Sequence, residues 1–242
     1  MKNKTIKPSE NKLLQEKDRQ LQEKDLRLQE KDLQLQEKDR QLQEKDLLTI
    51  EMNHRIKNNL GSIAAILQLQ MRRTNSQEAK DAFQASIPRI LAIAAVQDMF
   101  SRKNSETIAL KEILGNVLHS ALDNYQQADQ NIFSEISGYE SKIACSQAAP
   151  VALIANELIG NALKHGIGSE ATGTIRINIS ERDNSITMTF FDSGRGDLIY
   201  DPGDESRLGL QIVKALSQEQ LGGTFTISKE NSETKAEIVF TK

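Results

Sequence analysis

A seven-residue unit, Leu-Gln-Glu-Lys-Asp plus two variable positions, recurs almost verbatim from Leu14 to Leu48. Leu14, Leu21, Leu28, Leu35 and Leu42 form one strict stripe, and Leu26, Leu33 and Leu47 a partial second one on another face. A sustained period of seven predicts a helix that supercoils left-handedly with a partner. With the first stripe at position a, the d positions are Lys17, Lys24, Lys31, Lys38 and Lys45. The seam then has one apolar residue per heptad, which makes a weak coiled coil and leaves open a charged, largely solvated helix. Adding sevens to Leu42 reaches Thr49, Ile56 and Ile63, with no Pro or Gly before Gly61. In this phase His54 falls at f, the outward position, and Glu51 and Asn58 at c. Residues three or four apart on a helix are neighbours, so Glu51 and Asn58 would flank an exposed His54. Register shifts in the coiled coil would then move His54.

Ile63, Ile66, Leu67 and Met71 continue the apolar pattern. Thr74-Asn75-Ser76 offers a turn and an N-cap before a second helix, from about Gln77 to Phe100. Pro88 is expected to kink or break that helix. Two helices make a thin core, and pairing two hairpins as a four-helix bundle buries both faces, so a homodimer is expected. The polar stretch Ser101–Glu106 is taken as a domain boundary. Beyond it, helical patterns over Ile108–Tyr125, Ala149–His165 and Leu208–Leu216 mix with strand patterns. These strands are Ile132–Ile136, Gly173–Ser180, Ser185–Phe191, Thr224–Ser228 and Ala236–Phe240. A turn is placed at Asp183-Asn184, and Gly166 is expected to end the second of these helices. Consecutive antiparallel strands with interspersed helices predict an α+β half, its sheet covered by helices on one face. The expected domains are a coiled coil over 1–50, a helical hairpin over 51–102 and an α+β domain over 103–242.

Composition narrows the function. A formal net charge of −3, pI near 5.8 and no basic stripe interleaved with aromatics argue against nucleic acid as a partner. One cysteine excludes an internal disulfide, and no Cys/His cluster suggests a metal. No apolar run approaches the ~18 residues of a membrane span. The expected setting is soluble and cytoplasmic.

Candidate chemistry lies in four stretches. Glu51–Leu60 (EMNHRIKNNL) sets an imidazole between a carboxylate and an amide. Asn156–His165 (NELIGNALKH) puts Glu157, Asn161, Lys164 and His165 on adjoining turns of one helix, costly as core and suited to Mg²⁺ and phosphate. Asp192-Ser193-Gly194-Arg195-Gly196 follows an apolar strand, with a carboxylate able to accept a base's exocyclic amine and glycines permitting close approach. Leu208-Gly209-Leu210 opens a helix whose free N–H groups suit phosphate.

From Glu51 to about Phe240 the chain resembles the two-component sensor histidine kinases. Their ATP-binding fold is shared with gyrase, chaperones of the Hsp90 type and mismatch-repair ATPases, and is known as the GHKL or Bergerat sandwich. EMNHRIKNNL resembles the phosphoacceptor box of the subfamily close to the HWE kinases, NELIGNALKH the N box, DSGRG the first glycine box, and RLGLQIVKAL with Leu221-Gly222-Gly223 the second. The resemblance implies His54 as the phosphorylated residue, Asn161 as the Mg²⁺ ligand and Asp192 as the adenine contact. Gly194, Gly196, Gly209 and Leu210 would line ATP, and Lys164 and His165 would approach its phosphates. Glu157 stands where related ATPases carry the glutamate that activates water. Asn53-His54 replaces the family's frequent pair of histidines, and Glu233-Thr234-Lys235-Ala236 lacks the glycine often found before the last strand. The implied activity is ATP-dependent autophosphorylation followed by transfer to an aspartate on the receiver domain of a response regulator. The rival readings are a phosphotransfer protein with a vestigial ATP-binding domain, and an ATPase switch dimerised by its bundle.

Overall fold

A computed structural model describes residues 8–103, 107–125, 130–168, 170–194, 208–230 and 233–242. Two helices lead: α1 (Pro8–Arg73) and α2 (Gln77–Lys103). They are followed by β1 (Thr107–Ala109), α3 (Leu110–Tyr125), β2 (Asn131–Gly138), β3 (Lys142–Ala144) and α4 (Cys145–Asn161). A π-helical turn, Ala162–Ile167, extends α4. The chain continues through β4 (Thr172–Arg182), β5 (Ser185–Asp192), α5 (Leu208–Ala215), a second π-helical turn (Leu216–Gln220), β6 (Thr224–Glu230) and β7 (Glu233–Thr241). It divides into two compact units, Met1–Thr49 and Ile50–Lys242.

In the first unit the heptad leucines are open to solvent: Leu21, Leu28, Leu35 and Leu42 are 58–59% exposed. Arg27 with Glu23 and Arg40 with Glu37 form pairs along the helix. Such exposed pairs are screened by solvent and contribute little. A single chain therefore leaves the stripe uncovered.

In the second unit the end of α1 and α2 form the expected hairpin. Ser76 caps α2 by accepting the Ala79 amide at 3.2 Å. Pro88 does not break α2, which remains helical from Gln77 to Lys103. Ala64, Ile87, Ala94 and Val96 are buried between hairpin and neighbours. Lys57 and Asp98, 2.6 Å apart, fix the antiparallel register of the two helices. Met52, Ile63, Ile66 and Leu69 remain 46–62% exposed, an apolar face with no cover in one chain.

The remaining elements build an α/β sandwich. Its five-stranded sheet has the order β2-β4-β5-β7-β6. β4–β5, β5–β7 and β6–β7 are antiparallel, in line with the expected hairpins, and β2 runs parallel to β4, a pairing the sequence pattern does not specify. The parallel step arises because α4 crosses the sheet between β2 and β4, where a hairpin would have reversed the chain. Alternation places Ile175, Ile177, Ile179, Ile186, Met188, Ile238 and Phe240 in one core with Ile113, Leu114, Val151, Ile154 and Val213 from the helices. The β4–β5 turn has Asp183 and Asn184 at positive φ (49° and 66°), the twist that suits a two-residue hairpin. β1 and β3 form a two-stranded sheet; these three-residue strands are too short to leave a periodic signal. The helix ends at Gly168 (φ 57°), two residues after the expected Gly166, because the π-helical turn carries it further.

Candidate active site

α4 is apolar on the side that meets the sheet and ends in the cluster the sequence singles out. Its last turns, with β5, the start of α5 and one face of α2, enclose a cavity of about 700 Å³. Glu157, Asn161, Lys164, His165, Asp192, Gly209 and Leu210 all line it, so the N box and the residues around both glycine boxes converge although they span more than fifty positions. Gly194 lies beside it, its amide donating to Asp192 Oδ1 at 3.0 Å. Gly194 packs directly on the Gly166 backbone with no room for a Cβ on either residue. Gly166 therefore serves close approach to Asp192 and Gly194 and leaves the capping of the helix to Gly168. Gly196 lies outside the described residues.

Asp192 ends β5 at 8% exposure. Burial pushes its carboxyl above the usual aspartate value, while hydrogen bonds from the Gly194 amide and the Thr234 hydroxyl pull the other way. Thr234 is itself buried on β7, opposite Asp192 in the strand register. Sequence reasoning missed Thr234, noting around it only an absent glycine. The signal available was a Thr at an inward position of the last strand, legible only once β7 is paired with β5.

Glu157 is 7% exposed and held by Arg89 of α2 through two bonds, Nε to Oε1 at 2.8 Å and Nη2 to Oε2 at 2.7 Å. Asn156 adds a bond at 3.3 Å. A Cβ on Gly209 would stand 2.7 Å from Glu157 Oε2, so glycine is what lets α5 begin against this pair. Removing either partner of such a buried pair strands a charge, at a cost of about 3–5 kcal/mol. Arg89 was not singled out in the sequence, because its partner is 68 positions away. Lys164 lies 4.4 Å from the Tyr125 ring centroid. Burial lowers its pKa, and Glu157 partly restores it.

His54 is exposed on α1, and so are Glu51 and Asn58. Glu51 accepts two bonds from Arg55, at 2.6 and 3.1 Å, and does not engage His54. His54, Glu51 and Asn58 are not among the cavity's lining residues.

A crowded carboxylate ending a strand, an amide one helical turn beyond an acid, and glycines at two points of close approach have the chemistry that suits a nucleotide. Family models decide the assignment: residues 51–125 match the family described as histidine kinase, and residues 146–242 that described as histidine kinase-, DNA gyrase B- and HSP90-like ATPase. The chain belongs to the histidine kinases. Within that family its helical hairpin and ATPase-type sandwich are the HWE-like phosphoacceptor and GHKL domains that the four motifs resemble. It is 30% identical over 176 residues to the sensor histidine kinase PdtaS of Mycolicibacterium smegmatis, and equally to that of Mycobacterium tuberculosis. The match takes in 72% of the chain and spans 35%, about a third, of each relative's length. The histidine kinase domain of the Erythrobacter litoralis EL346 blue-light activated histidine kinase has the same fold. It superposes with a TM-score of 0.55 at 22% identity, over 81% of this chain and 91% of that one. No helix among the described residues is long and apolar enough to cross a membrane.

Proposed function

We propose that this histidine kinase phosphorylates His54 with ATP bound in the 700 Å³ cavity and passes the phosphoryl group to an aspartate of a response regulator's receiver domain. The observation that carries this is the gathering of Glu157, Asn161, Lys164, His165, Asp192, Gly209 and Leu210 around one cavity in a chain that also presents an exposed His54. The ionised Asp192, backed by Thr234, accepts the adenine amino group, and Gly194 with Leu210 lines the base. Lys164, His165 and the first amides of α5 face the phosphates. Asn161 suits magnesium, because Mg²⁺ takes few protein oxygens and completes its shell with water and substrate phosphate. When bound, the ion offsets charge on the phosphates.

In the transfer, a neutral imidazole nitrogen of His54 forms the N–P bond as the bond to the β–γ bridging oxygen breaks and ADP departs. The imidazole proton passes to Glu51, or to water held by Asn58. Exposure leaves the His54 nitrogens open to this attack and to a docking receiver domain. Two copies joined through Met52, Ile63, Ile66 and Leu69 would complete a four-helix bundle. Incubation with γ-labelled ATP tests the proposal. Acid-labile, base-stable label on the wild type, none on His54→Gln, and chase onto a receiver aspartate are expected. A wild type that binds ATP and stays unlabelled points to the vestigial reading, and ATP hydrolysis without label to the ATPase switch.

A further inference from the structure

Among the described residues the cavity is lined by two permanent cations, Arg89 and Lys164. Their surroundings differ. The Arg89 charge is met by both oxygens of Glu157, whereas among the described residues no carboxylate pairs with Lys164. Glu157 and Asp81 act on it through charge alone, at longer range. What the Lys164 ammonium meets is an aromatic face: Nζ lies 4.4 Å from the centroid of the Tyr125 ring, inside the roughly 6 Å over which a cation is drawn to a ring's quadrupole.

Two elements bring these side chains together. Tyr125 is the last residue of α3, and Lys164 stands on the π-helical turn that follows α4. The ring is half-buried and lies against α4 one turn before the lysine: a Cβ on Gly160 would stand 3.9 Å from Tyr125 Cε2. With glycine there, no side chain comes between the ring and the helix, and Lys164 follows four positions on, on the same face. Lysine carries a compact charge on a flexible four-carbon stem, and ordering that stem costs rotamer freedom. A carboxylate partner would order it and cancel its charge. A ring face orders it and leaves the charge whole.

We infer that Tyr125 is a positioning residue whose ring holds the Lys164 ammonium at the cavity wall, ordered and uncompensated, for the phosphates of an entering nucleotide. The inference deepens the proposed function and rests on its placing of the phosphates beside Lys164. A lysine already ordered loses less freedom when the nucleotide binds. The ring's contribution therefore falls on ligands that carry phosphate, and not on base or ribose.

Calorimetry on the full chain tests this with two probes, a non-hydrolysable ATP analogue with Mg²⁺ and adenosine. Tyr125→Leu should weaken the analogue by about three- to tenfold and leave adenosine unchanged. Tyr125→Phe, which keeps a ring face, should bind both as the wild type does. In a Lys164→Met background, which itself weakens the analogue, Tyr125→Leu should have no further effect. Equal losses for analogue and adenosine, a loss that persists in full without Lys164, or no loss at all would each overturn the inference. So would a Tyr125→Phe as weak as Tyr125→Leu, or a Lys164→Met that binds the analogue as the wild type does. If Tyr125→Leu does not fold, Tyr125→Met takes its place under the same criteria. None of these readouts needs phosphotransfer. Coupling between ring and lysine in a chain whose His54 takes no label would sink the proposed transfer and leave the inference standing, and a labelled His54 without that coupling would do the reverse.

Discussion

Asp192 shows how one side chain ties burial to binding. Its pKa is raised by burial, and in the proposed function it contacts adenine as a carboxylate. The folded state therefore holds its proton to higher pH than an unfolded aspartate would, and nucleotide binding must drive that proton off. ADP affinity is expected to rise with pH through the raised Asp192 pKa and to weaken on acidification before an ordinary aspartate would titrate. Calorimetric titration from pH 4 to pH 7.5 checks the sign. Thr234→Val removes a hydroxyl that stabilises the ionised form, so it should weaken ADP binding by about tenfold, equivalent to ~1.4 kcal/mol. It should also shift the acid limb upward, because the carboxyl then loses an opposing hydrogen bond. Asp192→Asn should abolish binding detectable at micromolar ADP while leaving the melting temperature at or above wild type, since it removes a buried charge.

At the scale of elements, the legibility of the chain follows the range of the forces involved. α1, the hairpin turn and the β4–β5 hairpin rest on local pattern: heptad spacing, a Ser76 cap and Asp183-Asn184, and the sequence predicts each. The parallel pairing of β2 with β4, the short β1 and β3, and the π-helical turn after Asn161 depend on partners distant in sequence, and periodicity does not report them. Pro88 is instructive in a different way. Local chemistry predicts a kink or a break, and the helix does not break: Ile87 on one side and Arg89 on the other are both anchored, and tertiary packing holds it through the missing amide bond. Within the cavity, Glu157, Asn161 and Asp192 stand out in the sequence because their residue types are costly on an apolar helix or at the end of an apolar strand. Thr234 and Arg89 do not, since a threonine on a strand and an arginine on a helix are ordinary until their partners are known. The core of the sandwich is where element stability concentrates: Ile177→Ala, at a site with no exposure, should cost about 2–5 kcal/mol. Denaturant unfolding of the chain, read by circular dichroism, measures it.

For the whole molecule, the sandwich is covered by its own helices, whereas both helical stretches present apolar stripes to solvent. That asymmetry favours assembly through the helices. Ile63→Asp with Ile66→Asp, both on the uncovered face, should convert a dimer to a monomer in sedimentation while ADP affinity changes less than twofold. Retention of the dimer would place the interface elsewhere, such as the heptad stripe of the first unit. The central claim joins the two halves: ATP held in the sandwich phosphorylates His54. Tandem mass spectrometry of the wild type after brief incubation with Mg-ATP, under base-stable conditions, tests it most directly. The account predicts one phosphoryl group on the peptide containing His54, absent from Asp192→Asn. A phosphoryl group on another residue, or bound ATP with His54 unmodified, would contradict it.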